Sequence, residues 1–291
     1  YGCLIQIDGG INDKTYKDSN KNDWAVVQED GFRYEGTDPD NYILMCDKNE
    51  SNCTCAPGTI TNAKWTGSES TTECENAWRI IGVFPDAVNG EEVVRIVKNK
   101  YTKNVYDTNS QNHWPSSTLY TDTWTSYNQT NYPKTVQFKA YLGTSSVSAY
   151  SNYTSSDLYK MERLQDGKGS AGPKATTQTA ITPVRVGLIY PSDYGYGVLS
   201  SLCARTKEPY NYDGTDACHT NNWLFQGSSD SQWLISPDGD YVPDAFDVYY
   251  KGFVYSSDLV NNGYPSRQVM SLGAGATVEG EGTKEKPYRI K

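Results

Sequence analysis

Apolar positions along this chain fall in short runs rather than in long periodic stretches. Trp78–Phe84 and Val93–Val97 are nearly continuous apolar runs separated by Asn89-Gly90. That pattern predicts two buried antiparallel strands joined by a turn in which φ > 0 is cheap. Leu4–Ile7, Trp24–Val27, Phe32–Tyr34, Asn41–Met45 and Val186–Tyr190 predict further short strands, and Glu29-Asp30-Gly31 predicts a hairpin turn. In the last fifth, Gln232–Lys291, the residues Phe246, Val248 and Tyr250 alternate with others and share one face of a strand. Asn261–Arg267 and the Gly-rich end supply turns, so this stretch reads as hairpins. Only two helices are predicted. Thr118–Tyr127 is capped by Ser116-Ser117, and Leu158–Leu164 by Ser155-Ser156-Asp157. Asn12–Asp23 and Gln165–Thr182 read as loops.

These elements give an α+β fold of mostly short antiparallel strands, two short helices and long loops. No linker, repeat or heptad divides the chain, so residues 1–291 are expected to form one domain. Its parts are a polar N-terminal segment (1–37), a Cys-rich insertion (46–74) and a core (78–291). Aromatic residues make up 13%, including 24 Tyr and 7 Trp, so a few large rings can supply most of the buried area. Trp78, Ile80, Val83, Leu188, Trp223 and Trp233 are expected in a single core.

The formal charge of −9 argues against nucleic acid, whose affinity comes mainly from Lys and Arg on phosphates, and equally against an anionic membrane surface. No apolar run approaches the roughly 18 residues of a membrane span, so no membrane insertion is expected. The start at Tyr1, without Met, reads as a processed one. Seven cysteines in a Tyr-, Asn- and Ser-rich chain point to export and disulfides. Cys203 and Cys218 bracket a Tyr/Asp/Gly loop, and a bond between them contributes about 3 kcal/mol by loop closure. Cys53-Thr54-Cys55 lacks zinc-ligand spacing and reads as disulfide-bonded. Seven is odd, so Cys3 is expected to be unpaired or to bond another chain.

Catalytic signals are sparse. His113 and His219 are the only histidines. Neither sits beside a nucleophile-elbow motif, and both read as loop residues. Acidic clusters (Asp13, Asp18, Asp23; Asp38, Asp40; Asp238, Asp240, Asp244) could ligate calcium, but none has a regular calcium-loop spacing. No cofactor is therefore expected, calcium being the one candidate. Glu162 and Arg163 of the second helix, with Arg79 and Arg267, are expected in buried pairs that hold helix to sheet. Loops 103–128, 194–214 and 255–267 have the composition of a contact surface, since Tyr supplies rigid area and Ser, Gly and Asn adaptable hydrogen bonds. Its candidate residues are Tyr194, Tyr196, Tyr210, Tyr212, Tyr255, Asn261, Asn262 and Tyr264.

The ordered series WRIIGVF (78–84), GLIYPSDYG (187–195), NWLF (222–225), WLISP (233–237), the arginine after Asn-Gly, and GEGTKEKPYRI (280–290) resembles a family of exported proteins of anaerobic Gram-positive gut bacteria. The resemblance covers roughly Asp38 to Ile290. Members often carry a pilin-like N-terminal segment. The pattern also resembles the C-type-lectin fold in its formylglycine-generating-enzyme version, which makes 78–291 a lectin-like core. Two departures stand out. Arg267 follows Tyr264-Pro265-Ser266 where the family has Gly-Val-Arg-Pro. No cysteine lies in Asn222–Lys291, where the oxidase of that fold needs reactive ones. The resemblance implies a non-catalytic extracellular binding or adhesion module on a bacterial surface, with a protein or glycan ligand. One alternative is a pilin-like filament subunit, with the Leu4–Ile7 strand within residues 1–10 joining a neighbour's sheet edge. Another is a carbohydrate hydrolase using two carboxylates.

Overall fold

The computed structural model describes residues 15–17, 23–28, 31–47, 53–142, 151–163, 181–213, 216–239, 241–273 and 276–290. Cys3, the Leu4–Ile7 strand, the assembly role of residues 1–10, Asp13, Asp18, Asp240 and nearly all of the 165–182 loop lie outside them. Within them the protein is mostly strand with a few short helices. No helix among the described residues is long and apolar enough to cross a membrane.

Strands Ala77–Phe84 and Val93–Lys98 form the expected antiparallel pair around Asn89-Gly90. They lie inside a ten-stranded sheet. Asp23–Gln28 and Phe32–Gly36 pair as the predicted hairpin, and Phe32–Gly36 continues onto Ala77–Phe84. Both faces of the central strands are covered, which is why they read as unbroken apolar runs. Ile80, Ile96 and Met270 point into one core cluster, and Ile81, Val97 and Val269 into another. The core is therefore two layers divided by the sheet. Trp78, Ile80, Leu188 and Trp233 fill the first, and Trp223 belongs to the second. Val83 is only half-buried, because a bulge between Ile80 and Gly82 changes which residues face inward.

The last fifth is woven into the whole molecule rather than folded on itself. Gln232–Pro237, Asp244–Val248 and Val254–Leu259 form a three-stranded antiparallel sheet. Gly263–Ser266 instead pairs with Thr102–Val105, and Val269–Gly273 with Val93–Lys98. Tyr288–Ile290 runs parallel to Tyr42–Leu44. Tyr250 lies beyond the strand that contains Phe246 and Val248. Similarly, the strand expected at Val186–Tyr190 lies earlier, at Ile181–Val184, with only a single bridge from Gly187 to Val269.

The helix expected over Thr118–Tyr127 is two isolated turns, Trp114–Ser116 and Leu119–Thr123. Ser117 Oγ donates to the Trp114 carbonyl and accepts from Tyr120 N–H, and Thr121 Oγ1 donates to the Ser117 carbonyl. Such local side-chain bonds compete with helix propagation. The second helix spans Ser155–Glu162, with Thr154 as N-cap and Asp157 completing a capping box. Cysteines pair as Cys46–Cys53, Cys55–Cys74 and, as expected, Cys203–Cys218.

Buried ion pairs bind helix to sheet, though with other partners than the sequence suggests. Arg163, the C-cap of Ser155–Glu162, reaches Asp86 at 2.9 Å. Asp86 also pairs with Arg95 of the central sheet. Arg79 pairs with Asp38 at 3.0 Å. Arg267 stacks over Tyr101 at 4.5 Å and donates to the Leu224 carbonyl. Glu162 touches neither Arg79 nor Arg267. It accepts from Ser192 N–H at 2.9 Å and Ser192 Oγ at 2.5 Å, and lies 3.4 Å from Arg163.

Burial pushes the Glu162 carboxyl up to about 7, against the pull of Arg163 and Ser192. The folded protein thus holds a proton that the unfolded chain releases near 4.5. The stability this group contributes is full below about pH 4.5 and is lost as pH rises through about 7, on the order of 3 kcal/mol. Urea midpoints of the wild type should therefore fall between pH 5 and 8, and Glu162→Gln should flatten that slope. Parallel slopes for the two proteins would contradict the assignment.

Candidate ligand-contact face

Three of the eight contact candidates are interior residues, not surface ones. Tyr194 is fully buried and donates to the Gly252 carbonyl at 2.6 Å. Tyr212 is buried with its hydroxyl on the Gly195 carbonyl at 3.2 Å. Tyr196 is buried, its ring 4.5 Å from the Arg33 guanidinium. Pro191–Tyr196 is a helix whose residues are all buried, so the loop expected there is part of the core.

The other five candidates lie on or beside one face of the three-stranded sheet. Register puts Trp233, Asp247 and Tyr255 side by side. Opposed residues in a ladder point to the same face. A bulge lets Ala245 oppose Asp258 while Asp247 opposes Tyr255, which brings Asp258 onto this face too. Tyr264 donates to Asp258 Oδ1 at 3.1 Å and rests on Trp233 with centroids 4.8 Å apart. Asn262 donates to the Tyr264 hydroxyl at 3.4 Å, and Asn261 is exposed.

The turn after Val248 adds Tyr249, Tyr250 and Phe253, none of them among the eight contact candidates. Tyr249 lies 4.3 Å from Tyr250, 4.9 Å from Phe253 and 5.9 Å from Tyr255. Tyr210 packs edge-on to Phe253 at 6.0 Å. Together Tyr210, Tyr249, Tyr250, Phe253 and Tyr255 form a continuous aromatic platform, with Tyr210 and Tyr250 each 37% exposed. The turn needs glycine at 252. Its φ is +92°, and a Cβ there would meet the His219 ring at 2.4 Å. His219 is accordingly buried against Phe225 rather than on a polar loop, and burial lowers its pKa. His113 is half-buried, with Nδ1 3.0 Å from Ser116 Oγ. The run Tyr249-Tyr250-x-Gly252-Phe253 carries a local turn signal in Gly252, which the alternation of Phe246, Val248 and Tyr250 masks.

Below the platform lies a carboxyl pair. Asp247 is fully buried, with the side chains of Ser231 and Asp258 as its hydrogen-bonding neighbours. Burial raises its pKa well above the carboxylate range, and the charge of Asp258 and a hydrogen bond shared with it act the same way. Two carboxyl groups can share such a bond only if one carries a proton. Asp244 is pushed up to about 6 by burial and by the charges of Asp238 and Asp258. The Tyr249 hydroxyl is pushed up to about 12, first by its bond to Tyr250, then by burial and by nearby charges including Asp258 and Asp247. Asp247 opposes Tyr255 in the ladder and the Tyr255 ring meets Tyr249, so the carboxyl pair adjoins the platform.

Among the described residues, no group of three or more His, Cys, Asp or Glu could hold a metal ion. Asp38 is engaged by Arg79, Lys284 and the Tyr42 hydroxyl. Asp238 accepts from Ser256 Oγ and Tyr241 N–H. Two clefts of about 210 and 270 Å³ share Leu44 and Arg289 as walls. Both fall short of the roughly 300–1,000 Å³ of small-molecule pockets, and neither includes a residue of the platform. No family model matches the chain, and comparison with curated proteins and with solved structures returned no match.

Proposed function

We propose that this chain is a non-catalytic extracellular binding module of a bacterial surface, with the C-type-lectin-like architecture its motif series resembles. It meets a protein or glycan ligand through the platform of Tyr210, Tyr249, Tyr250, Phe253 and Tyr255. The carrying observation is that five rings lie in continuous contact on the edge of a rigid sheet, two of them substantially exposed. Rings with only two χ angles give large contact area at low entropic cost, and a sheet holds them more firmly than a free loop. Three disulfides fit an oxidising compartment. A two-carboxylate hydrolase needs its carboxyls roughly 5–9.5 Å apart. Asp247 is wholly buried, out of reach of a sugar lying on the platform, which favours contact over that chemistry.

Arrays of glycans and of synthetic peptides test the reading. The wild type should bind at least one class of probe. Tyr210→Ala/Tyr250→Ala should weaken that binding about tenfold or more, as for anchoring aromatics at an interface, with an unchanged melting profile. Full binding by the double variant would place the contact elsewhere, and no binding on either array would remove the proposal.

A further inference from the structure

The interior repeats one arrangement at four arginines, Arg95 among them over Phe84 and Tyr190 with Asp86 as its carboxylate. Arg33 lies 4.5 Å from both the Phe84 and the Tyr196 ring centroids and 2.8 Å from Asp193. Arg79 lies 4.2 Å from Tyr42, 4.6 Å from Trp223 and 3.0 Å from Asp38. Arg163 lies 3.8 Å from Tyr159, 4.9 Å from Tyr141 and 2.9 Å from Asp86. In each case a planar cation is laid on ring faces while a carboxylate takes its N–H groups. Guanidinium suits this because it stacks and forks at once.

The platform has the rings and the carboxyl groups of that arrangement but lacks the guanidinium. Among the described residues, no Lys or Arg forms an ion pair with Asp244, Asp247 or Asp258. Asp247 is wholly buried beside Asp258, with Ser231 as its other side-chain partner. The cation over the platform rings is Lys251, whose ammonium is 5.8 Å from the Tyr250 centroid. At that range the ammonium makes a loose cation–π contact, and among the described residues it forms no ion pair with a carboxylate. The chain as a whole carries −9, which favours cationic partners at long range.

From this we propose that the platform receives an arginine side chain of a polypeptide partner. Its guanidinium lies on the exposed Tyr250 and Tyr210 rings, in the field of the Asp247–Asp258 pair. This rests on the platform being the contact face and names the chemistry that the face selects. A neutral sugar would stack on the rings but leave the charge unanswered. A lysine would answer the charge but not the flat ring faces.

The test uses immobilised full-length protein and three synthetic peptides of one Gly/Ser framework, carrying arginine, lysine or citrulline at the same positions. Citrulline keeps the size and planarity of arginine and removes its charge. The arginine peptide should bind, the lysine peptide more weakly, and the citrulline peptide about tenfold or more below arginine. Asp258→Asn should weaken the arginine peptide severalfold while leaving the citrulline peptide unchanged. That readout needs no assumption about stability, because one protein variant is compared across two ligands. Equal binding of the arginine and citrulline peptides overturns the inference, as does full arginine binding by Tyr210→Ala/Tyr250→Ala. Binding of neutral glycans or glucosamine oligomers at the platform, without the arginine peptide, overturns it and leaves the contact face standing. Failure of every peptide and glycan removes both.

Discussion

Replacing Asp86 with Asn should lower the unfolding free energy by about 3–5 kcal/mol, the cost of breaking a buried ion pair from one side. Asp86 is fully buried and serves two arginines at once, Arg163 through both carboxylate oxygens and Arg95 through one. Burial alone would raise its pKa, but Arg163 and Arg95 outweigh that and hold it below the usual carboxylate range. Asn keeps the shape and removes the charge, so both guanidinium groups stay buried with less compensation. Arg95 keeps Asp193 at 3.6 Å and Arg163 keeps Glu162 at 3.4 Å, which bounds the damage. Paired substitution gives the sharper measurement. Asp86→Asn with Arg163→Met should cost clearly less than the sum of the single changes, because the double variant no longer buries the Arg163 charge. Additive costs in urea titrations would mean that Asp86 and Arg163 do not act as a unit. Acid acts on the same group: its contribution is present above about pH 4 and is lost as pH falls through its depressed folded value.

What the sequence revealed and what it hid follow from the range of the forces involved. Trp78–Phe84 and Val93–Val97 were readable because their signal is local: two apolar runs and an Asn-Gly turn. The Cys203–Cys218 bond was readable because its loop is short and bounded by turn residues. Tyr194, Tyr196 and Tyr212 were misplaced because composition cannot say whether a tyrosine hydroxyl meets water or a backbone carbonyl. Here the partners are Gly252 for Tyr194 and Gly195 for Tyr212, and the first lies 58 residues away. Arg163 was expected to bind helix to sheet, and it does, but Asp86 lies 77 residues from it in a turn that carries no motif. Asp258 reaches the candidate contact face through a bulge, which strict alternation does not foresee. The half-buried position of Val83 has the same origin.

Trp233→Ala should cost about 3–5 kcal/mol, the usual range for deleting a large core aromatic, and should also disturb the contact face. Trp233 has no exposed surface, and its indole N–H donates to the Asn104 carbonyl at 3.2 Å. Its ring meets Tyr106 at 5.7 Å on the core side and Tyr264 at 4.8 Å on the other. Truncation therefore opens a cavity, orphans one carbonyl and removes two ring contacts, each worth about 0.5–1.5 kcal/mol beyond area. The second consequence is positional. Tyr264 holds Asp258 through its hydroxyl, and without the indole beneath it that hydroxyl is no longer fixed. Trp233→Phe separates the two effects, because it keeps a ring under Tyr264 and loses the N–H donor. It should cost about 1–2 kcal/mol, the penalty of one unsatisfied buried group with a modest cavity, and should leave platform binding near wild type. Trp233→Ala, measured well below its unfolding midpoint, should weaken platform binding severalfold while folded. A stability loss below about 1 kcal/mol for the Ala variant would mark Trp233 as peripheral to the core. Equal platform binding by the Ala and Phe variants would break the link from Trp233 through Tyr264 to Asp258.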